Sequence, residues 1–260
     1  MPKVHLTPWS WVVGGVAVLA VVHVFLGLSA AGWAAGVAYL VVSTTLLSIG
    51  LARRAMARFG AANAVTATRS MLVGVVTALT VTSFTQPVPT WPVVALTVPA
   101  LLLDAVDGWV ARRTGSDSPL GARFDMEVDA FLLLVLGVFD VRALGAWVLA
   151  IGLMRYAYVA AGWLLPWLQA KVPPRYWRKV VTAVCGIALT LGASGLAPAP
   201  LAMVAIGIAL SLLVESFGRD AIWLFRNRPR ASAARPPSRQ PAAQPRSAGS
   251  TPPPAPPRSR

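Results

Sequence analysis

The stretch LLLDAVDGWVARRTGSDSPLGARFDMEVDAFLLLVLG, residues 101–137, decides how this chain must be read. Of the nine acidic residues in the protein, six lie between Asp104 and Asp129. Apolar runs flank them on both sides. Carboxylates in so apolar a setting are costly unless something compensates their charge.

The surrounding composition says what kind of setting it is. The chain has 260 residues, 56% hydrophobic and only 12% charged, with a mean hydropathy of +0.65. A globular domain carries about 25% charged residues. A water-soluble fold of this size could not hide so much apolar surface, whereas a polytopic membrane protein is solvated by lipid on its outer face. The net charge of +14 is almost wholly arginine, since lysine stands only at positions 3, 171 and 179. These bases sit in loops and in a tail, as the positive-inside rule describes, with anionic headgroups as neighbours and no call for nucleic acid. A single cysteine, Cys185, excludes an internal disulfide.

Apolar stretches of spanning length recur at 9–29, 32–52, 69–85, 91–111, 122–140, 143–166, 178–196 and 199–225. Each approaches the ~20 residues a helix needs to cross the hydrocarbon. The third is short and is expected to begin as an interfacial segment around 52–67. The first is read as a retained span, because a second follows almost at once. The expected fold is therefore all-α, a polytopic membrane helix bundle. Arginines cluster before the third span and in alternate loops beyond it, which puts both termini on the cytoplasmic side of a cell membrane. Residues 226–260 hold eight arginines, many prolines and no acid, and read as a disordered basic cytoplasmic tail.

On a helical wheel with Asp104 at zero, Asp107 falls near ~300°, Gly108 near ~40° and Ala111 near ~340°. Two carboxylates and two minimal side chains thus share one stripe, with Arg112 just off it. Gly121, Asp125 and Asp129 recur every fourth residue and make a second stripe. The short basic loop between the two spans lets the stripes face each other. Four intramembrane carboxylates cost on the order of 10 kcal/mol before repulsion, so they need cations. All-oxygen sets on rigid helices suit Mg2+ or Mn2+, and four shared carboxylates suit a two-metal site. An interhelical salt-bridge cluster with Arg112, Arg113 and Arg123 is the plainer alternative.

The full string Asp104-x2-Asp107-Gly108-x2-Ala111-Arg112-x8-Gly121-x3-Asp125-x3-Asp129 resembles the signature of the CDP-alcohol phosphatidyltransferases, with all eight positions present at the family's spacing. Upstream, NAVTATR resembles the family's Asn-x2-Thr-x2-Arg element, as Asn63, Thr66 and Arg69, with Ala62 where proline often stands. The resemblance implies a six-helix catalytic core over 53–225, preceded by two N-terminal helices in 1–52 that it does not explain. It implies that Asp104, Asp107, Asp125 and Asp129 hold two divalent cations at the pyrophosphate of a CDP-linked lipid donor. Asp129 would also take the acceptor's proton. Gly108 and Ala111 would leave room for the nucleotide, Arg112 with Asn63 and Thr66 would hold it, and Gly121 would let two helices approach. The reaction implied moves a phosphatidyl group, from CDP-diacylglycerol by our reading, to an alcohol hydroxyl and releases CMP.

The acceptor is read from charge. Arg155 lies within the sixth span, and Arg123, Arg175, Arg178 and Lys179 gather at the cytoplasmic side. Such a set suits an alcohol carrying its own phosphate, glycerol 3-phosphate or inositol phosphate. Lys179 and Thr182 resemble a Lys-x2-Thr element of some family members, although Cys185 stands where those often have glutamine. Glu127 is expected to pair with a neighbouring arginine, Glu215, Arg219 and Asp220 to form a structural ion pair, and His23 to pack. A homodimer is compatible with the sequence. The rival reading is a cation- or proton-coupled transporter, which would want acids spread along a path through the bilayer. Here only Asp140, Glu215 and Asp220 lie outside the cluster, all near span ends.

Overall fold

The computed structural model describes residues 8–53, 61–114, 119–170, 172–173 and 176–227. All regular structure among them is helical, in the order α1 (Trp9–Leu26), α2 (Ala30–Arg53), α3 (Ala61–Thr82), α4 (Thr90–Thr114), α5 (Pro119–Leu144), α6 (Leu149–Leu164), α7 (Tyr176–Ser194) and α8 (Ala199–Arg226). Five stretches are long and apolar enough to cross a membrane, those of α1, α2, α3 and α8 and Ala146–Leu164, which is α6 with the 3-10 turn before it, and α4 adds a shorter apolar stretch, Thr90–Asp104. The carboxylates interrupt the apolar runs of α4 and α5. The helical body ends at Arg226, and the basic tail expected beyond it lies outside the described residues.

Two boundaries differ from expectation. The third helix was expected over 69–85, yet α3 begins at Ala61 and ends at Thr82. Its first turns hold Asn63 and Thr66, which fall in the segment expected at the interface, and then Arg69; the three are buried at 3%, 2% and 0% exposure. The fifth and sixth helices meet later than expected, because α5 runs on to Leu144. There Gly145 adopts φ 92, a left-handed backbone that ends the helix, and one 3-10 turn leads into α6.

α3 is the centre of the bundle. Of its apolar window 67% is buried, against 17% for α1. It packs against α1, α2, α4 and α5, and its Val73, Val76 and Leu79 are fully buried in the core with Leu132, Leu136, Leu189 and Ile206. The α2–α3 contact is close because small residues line it. A Cβ added at Gly32 would lie 2.6 Å from the Ala78 carbonyl oxygen, and one at Gly36 3.1 Å from that of Gly74. Small residues four apart on both helices let the backbones meet, the packing favoured where lipid provides no hydrophobic drive between helices. The turn before α2 is tied in turn to α3: the Ser29 hydroxyl accepts from the Gly32 N–H at 3.0 Å as an N-cap, and the Ser29 N–H donates to Thr82 Oγ1 at 3.2 Å.

α4 and α5, consecutive in sequence, hardly touch among the described residues. α3 bridges them on one side and α7 on the other. The space left between them is where the carboxylates point.

Candidate active site

α3 presents Asn63, Thr66, Arg69 and Ser70 along one buried face, at the three- and four-residue spacing of a helical stripe. Arg69 is the pivot. Its Nη1 donates to Asp104 Oδ1 on α4 at 2.8 Å and lies 2.8 Å from Asp125 Oδ1 on α5. Its Nη2 donates to Asp129 Oδ1 one turn further along α5, and reaches the Asp125 carbonyl oxygen at 3.4 Å. The guanidinium's planar fork suits this multidentate role, which a lysine ammonium could not fill.

One oxygen from each of Asp104, Asp125 and Asp129 lies within 4.8 Å of the other two. The arginine is fully buried, whereas the carboxylate side chains keep 40%, 30% and 22% of their surface. The cluster is thus sealed from behind by α3 and open in front. Among the described side chains, three carboxylates face one guanidinium. A divalent cation would add the positive charge such a set calls for, and all-oxygen ligands are those Mg2+ and Mn2+ accept. The donor set fits such an ion.

The open side leads into a cavity of about 410 Å³ between α4 and α5, with α7 as its far wall. Asp104 and Asp129 stand at one end, beside Thr182. Leu101, Leu132 and Ile187 line the middle, and Ser194 and Leu196 the other end. From Thr182 to Ser194 the wall follows α7 for about 18 Å, more than half of the ~30 Å hydrocarbon thickness. Its walls are mostly apolar.

A family model for CDP-alcohol phosphatidyltransferase matches residues 59–214. The chain belongs to that family. The match opens just before α3 and closes within α8, so the phosphatidyltransferase core begins where Asn63, Thr66 and Arg69 line the site, and α1 and α2 lie outside it. No curated protein and no solved structure matches the chain. The family transfers a phosphatidyl group from a CDP-alcohol, and with its apolar helices this phosphatidyltransferase is a multi-pass membrane protein.

Asp104, Asp125 and Asp129 are brought together as described, and Asn63 and Thr66 are buried on the helix that carries Arg69. Asp107, Gly108, Ala111 and Arg112 belong to α4, but their side chains fall outside the described residues, as do Arg175 and Asp117 entirely. Gly121 lies in the first turn of α5, next to Leu120, whose side chain fills the space beside Gly50 of α2. Glu127 pairs with Arg155, as expected of it. Arg178 lies 3.4 Å from Asp220 and donates to the Pro173 carbonyl at 2.5 Å, while Arg219 pairs with Glu215 at 2.8 Å. Arg155 and Arg178 therefore already have acidic partners; Arg123 and Lys179 are exposed.

The sequence named Arg69 as a motif member without a role; arginines at 112, 113 and 123 entered only in the salt-bridge alternative to metal, and the side chain of Arg112 lies outside the described residues. The arginine that answers all three carboxylates comes from a third helix. A signal was present: Asn63, Thr66 and Arg69 fall on one face of a helix extended back to Ala61.

Proposed function

We propose that this phosphatidyltransferase uses CDP-diacylglycerol as donor and an alcohol hydroxyl as acceptor. The observation that carries the reading is the opening of the Asp104–Asp125–Asp129 cluster onto one end of a long apolar cavity. A donor whose pyrophosphate sits at the carboxylates can lay an acyl chain along α7. A CDP-alcohol with a small polar headgroup would have no use for those walls.

In this reading Asp104, Asp107, Asp125 and Asp129 hold two divalent cations, Mg2+ or Mn2+. When bound, these ions neutralise charge on the donor's two phosphates. Asn63, Thr66 and Arg112 hold the cytidine diphosphate, and Gly108 and Ala111 make room for it. The acceptor hydroxyl oxygen attacks the phosphorus that bears the diacylglycerol. That phosphorus gains a bond to the acceptor and loses its bond to the bridging oxygen, which leaves with CMP. Asp129 takes the hydroxyl proton. Arg69, buried behind the carboxylates, holds their oxygens in place throughout. Acceptor phosphate, in glycerol 3-phosphate or inositol phosphate, is met by Arg123, Arg155, Arg175, Arg178 and Lys179. Both termini are cytoplasmic, and the site faces that side of the cell membrane.

The test is CMP release by the detergent-purified protein given CDP-diacylglycerol, Mg2+ or Mn2+, and a panel of acceptors. The panel holds glycerol 3-phosphate, inositol phosphate, inositol, serine and phosphatidylglycerol. Acceptor-dependent CMP that disappears in Asp129→Asn supports the reading and names the product. Binding of CDP-choline in preference to CDP-diacylglycerol would overturn the lipid donor.

A further inference from the structure

α2 lies outside the matched core, yet it touches both helices that hold the Arg69–carboxylate cluster from behind. The Gly32 and Gly36 seam brings it against α3. Two helical turns beyond Ala30, Tyr39 reaches α3 and α5 at once. Its ring stacks on Phe131 of α5, with centroids 4.5 Å apart and planes at 17°. Phe131 stands two residues beyond Asp129. The same ring lies over Gly74 of α3, where an added Cβ would come within 3.2 Å of it. Its hydroxyl is 3.3 Å from the Ser70 hydroxyl, and Ser70 directly follows Arg69. Ser43, one turn on along α2, lies 3.3 Å from that same Ser70 hydroxyl. Nearer the end of α2, the Leu120 side chain of α5 closes over Gly50.

A tyrosine hydroxyl among apolar helices is stable only with a partner, so the Ser70 contact sets the ring's height on α3. The stack on Phe131 then sets α5 at that height. Arg69 and Asp129 project from those same two helices one and two residues away. A shift of α3 against α5 of one ångström would break the fork of contacts that the guanidinium makes.

We propose that Tyr39 is a positioning residue, which locks α3 to α5 so that Arg69, Asp125 and Asp129 keep the spacing a divalent cation needs. The two N-terminal helices are thereby part of the catalytic apparatus rather than a separate anchor. This inference rests on the metal-dependent transferase reading above.

The experiment uses the full chain in detergent and follows Mn2+ binding by electron paramagnetic resonance, thermal unfolding, and CMP release at varied donor. Tyr39→Ala is expected to weaken Mn2+ binding about tenfold, as loss of a group that orients metal ligands does. It lowers kcat at saturating donor while KM for the donor stays near that of the wild type. Tyr39→Phe, which keeps the stack, retains Mn2+ affinity within about threefold of wild type by the same measure. Leu28→Ala, in the buried turn between α1 and α2, lowers the unfolding temperature and leaves Mn2+ affinity unchanged. Tyr39→Leu carries the test if the alanine variant does not fold. If Tyr39→Ala and Tyr39→Leu lose unfolding temperature but bind Mn2+ as the wild type does, the inference is overturned. A wild-type protein that binds no Mn2+ would instead sink the metal reading, and this inference with it.

Discussion

Arg69 Nη1 on α3 donates to Asp104 Oδ1 on α4 at 2.8 Å, and the same nitrogen lies equally close to Asp125 on α5. Two helices that hardly touch among the described residues are joined through the side chain of a third. The guanidinium is therefore both the floor of the site and a structural link among α3, α4 and α5.

Arg69→Met removes the cation and leaves the mutual repulsion. Breaking a buried ion pair on one side costs about 3–5 kcal/mol, and the half-open carboxylates here put the expected loss near ~3 kcal/mol. Thermal unfolding in EDTA should show that loss, and Mg2+ should restore most of it. A variant as stable as wild type in EDTA would mean that Arg69 does not compensate the cluster.

Asp104→Asn separates stability from function. It deletes one of three negative charges around a single guanidinium, so the metal-free protein is expected to unfold no earlier than the wild type. The rise in unfolding temperature on adding Mg2+ should shrink or vanish. CMP release should fall at least ~10²-fold, the scale on which charge-stabilising groups act. An Asp104→Asn protein that responds to Mg2+ like wild type would remove that residue from the ion site.

Ile187→Trp tests the cavity. Ile187 is 62% exposed on the α7 wall, and a larger ring there narrows the passage without entering the core. KM for a donor with long acyl chains should rise about tenfold, equivalent to ~1.4 kcal/mol. KM for a dihexanoyl donor should hardly change. Equal effects on both donors would place the acyl chains elsewhere.

Gly152→Ala probes the seam between α5 and α6. An added Cβ would lie 2.3 Å from Leu134 Cα and 2.7 Å from its nitrogen, so the α5–α6 backbones must part. Overpacking of this kind costs about 1–3 kcal/mol. The unfolding temperature should drop, with CMP release per folded protein preserved. Loss of activity without loss of stability would show that the α5–α6 seam at Gly152 sets the position of Arg155, one turn on along α6.

Much of this was legible beforehand. All eight helices could be located from apolar length, because a fixed hydrocarbon thickness imposes a nearly fixed helix length. Asp125 and Asp129 could be placed on one face from their spacing, because the α-helical period is set by backbone geometry alone. Glu127 was legible as half of an ion pair, and Arg155 supplies the other half. The start of α3 was not legible. Asn63, Thr66 and Arg69 lower the hydropathy of its first turns, and a hydropathy reading cannot tell a polar residue facing headgroups from one buried in a protein interior.

What the sequence by itself determined, then, is local: which segments are helices, which of them are apolar, and which carboxylates share a stripe. Those properties depend on residues within a few turns of one another. Only the tertiary structure decided that α3 and α7 each pack against both α4 and α5, that Arg69 answers Asp104, Asp125 and Asp129 together, and that Tyr39 reaches the same layer from outside the family core. These relationships join residues 35 to 60 positions apart in the case of Arg69 and its carboxylates. Periodicity does not extend between helices. Their neighbours are chosen by how small residues, buried polar groups and unpaired charges can all be satisfied in one packing.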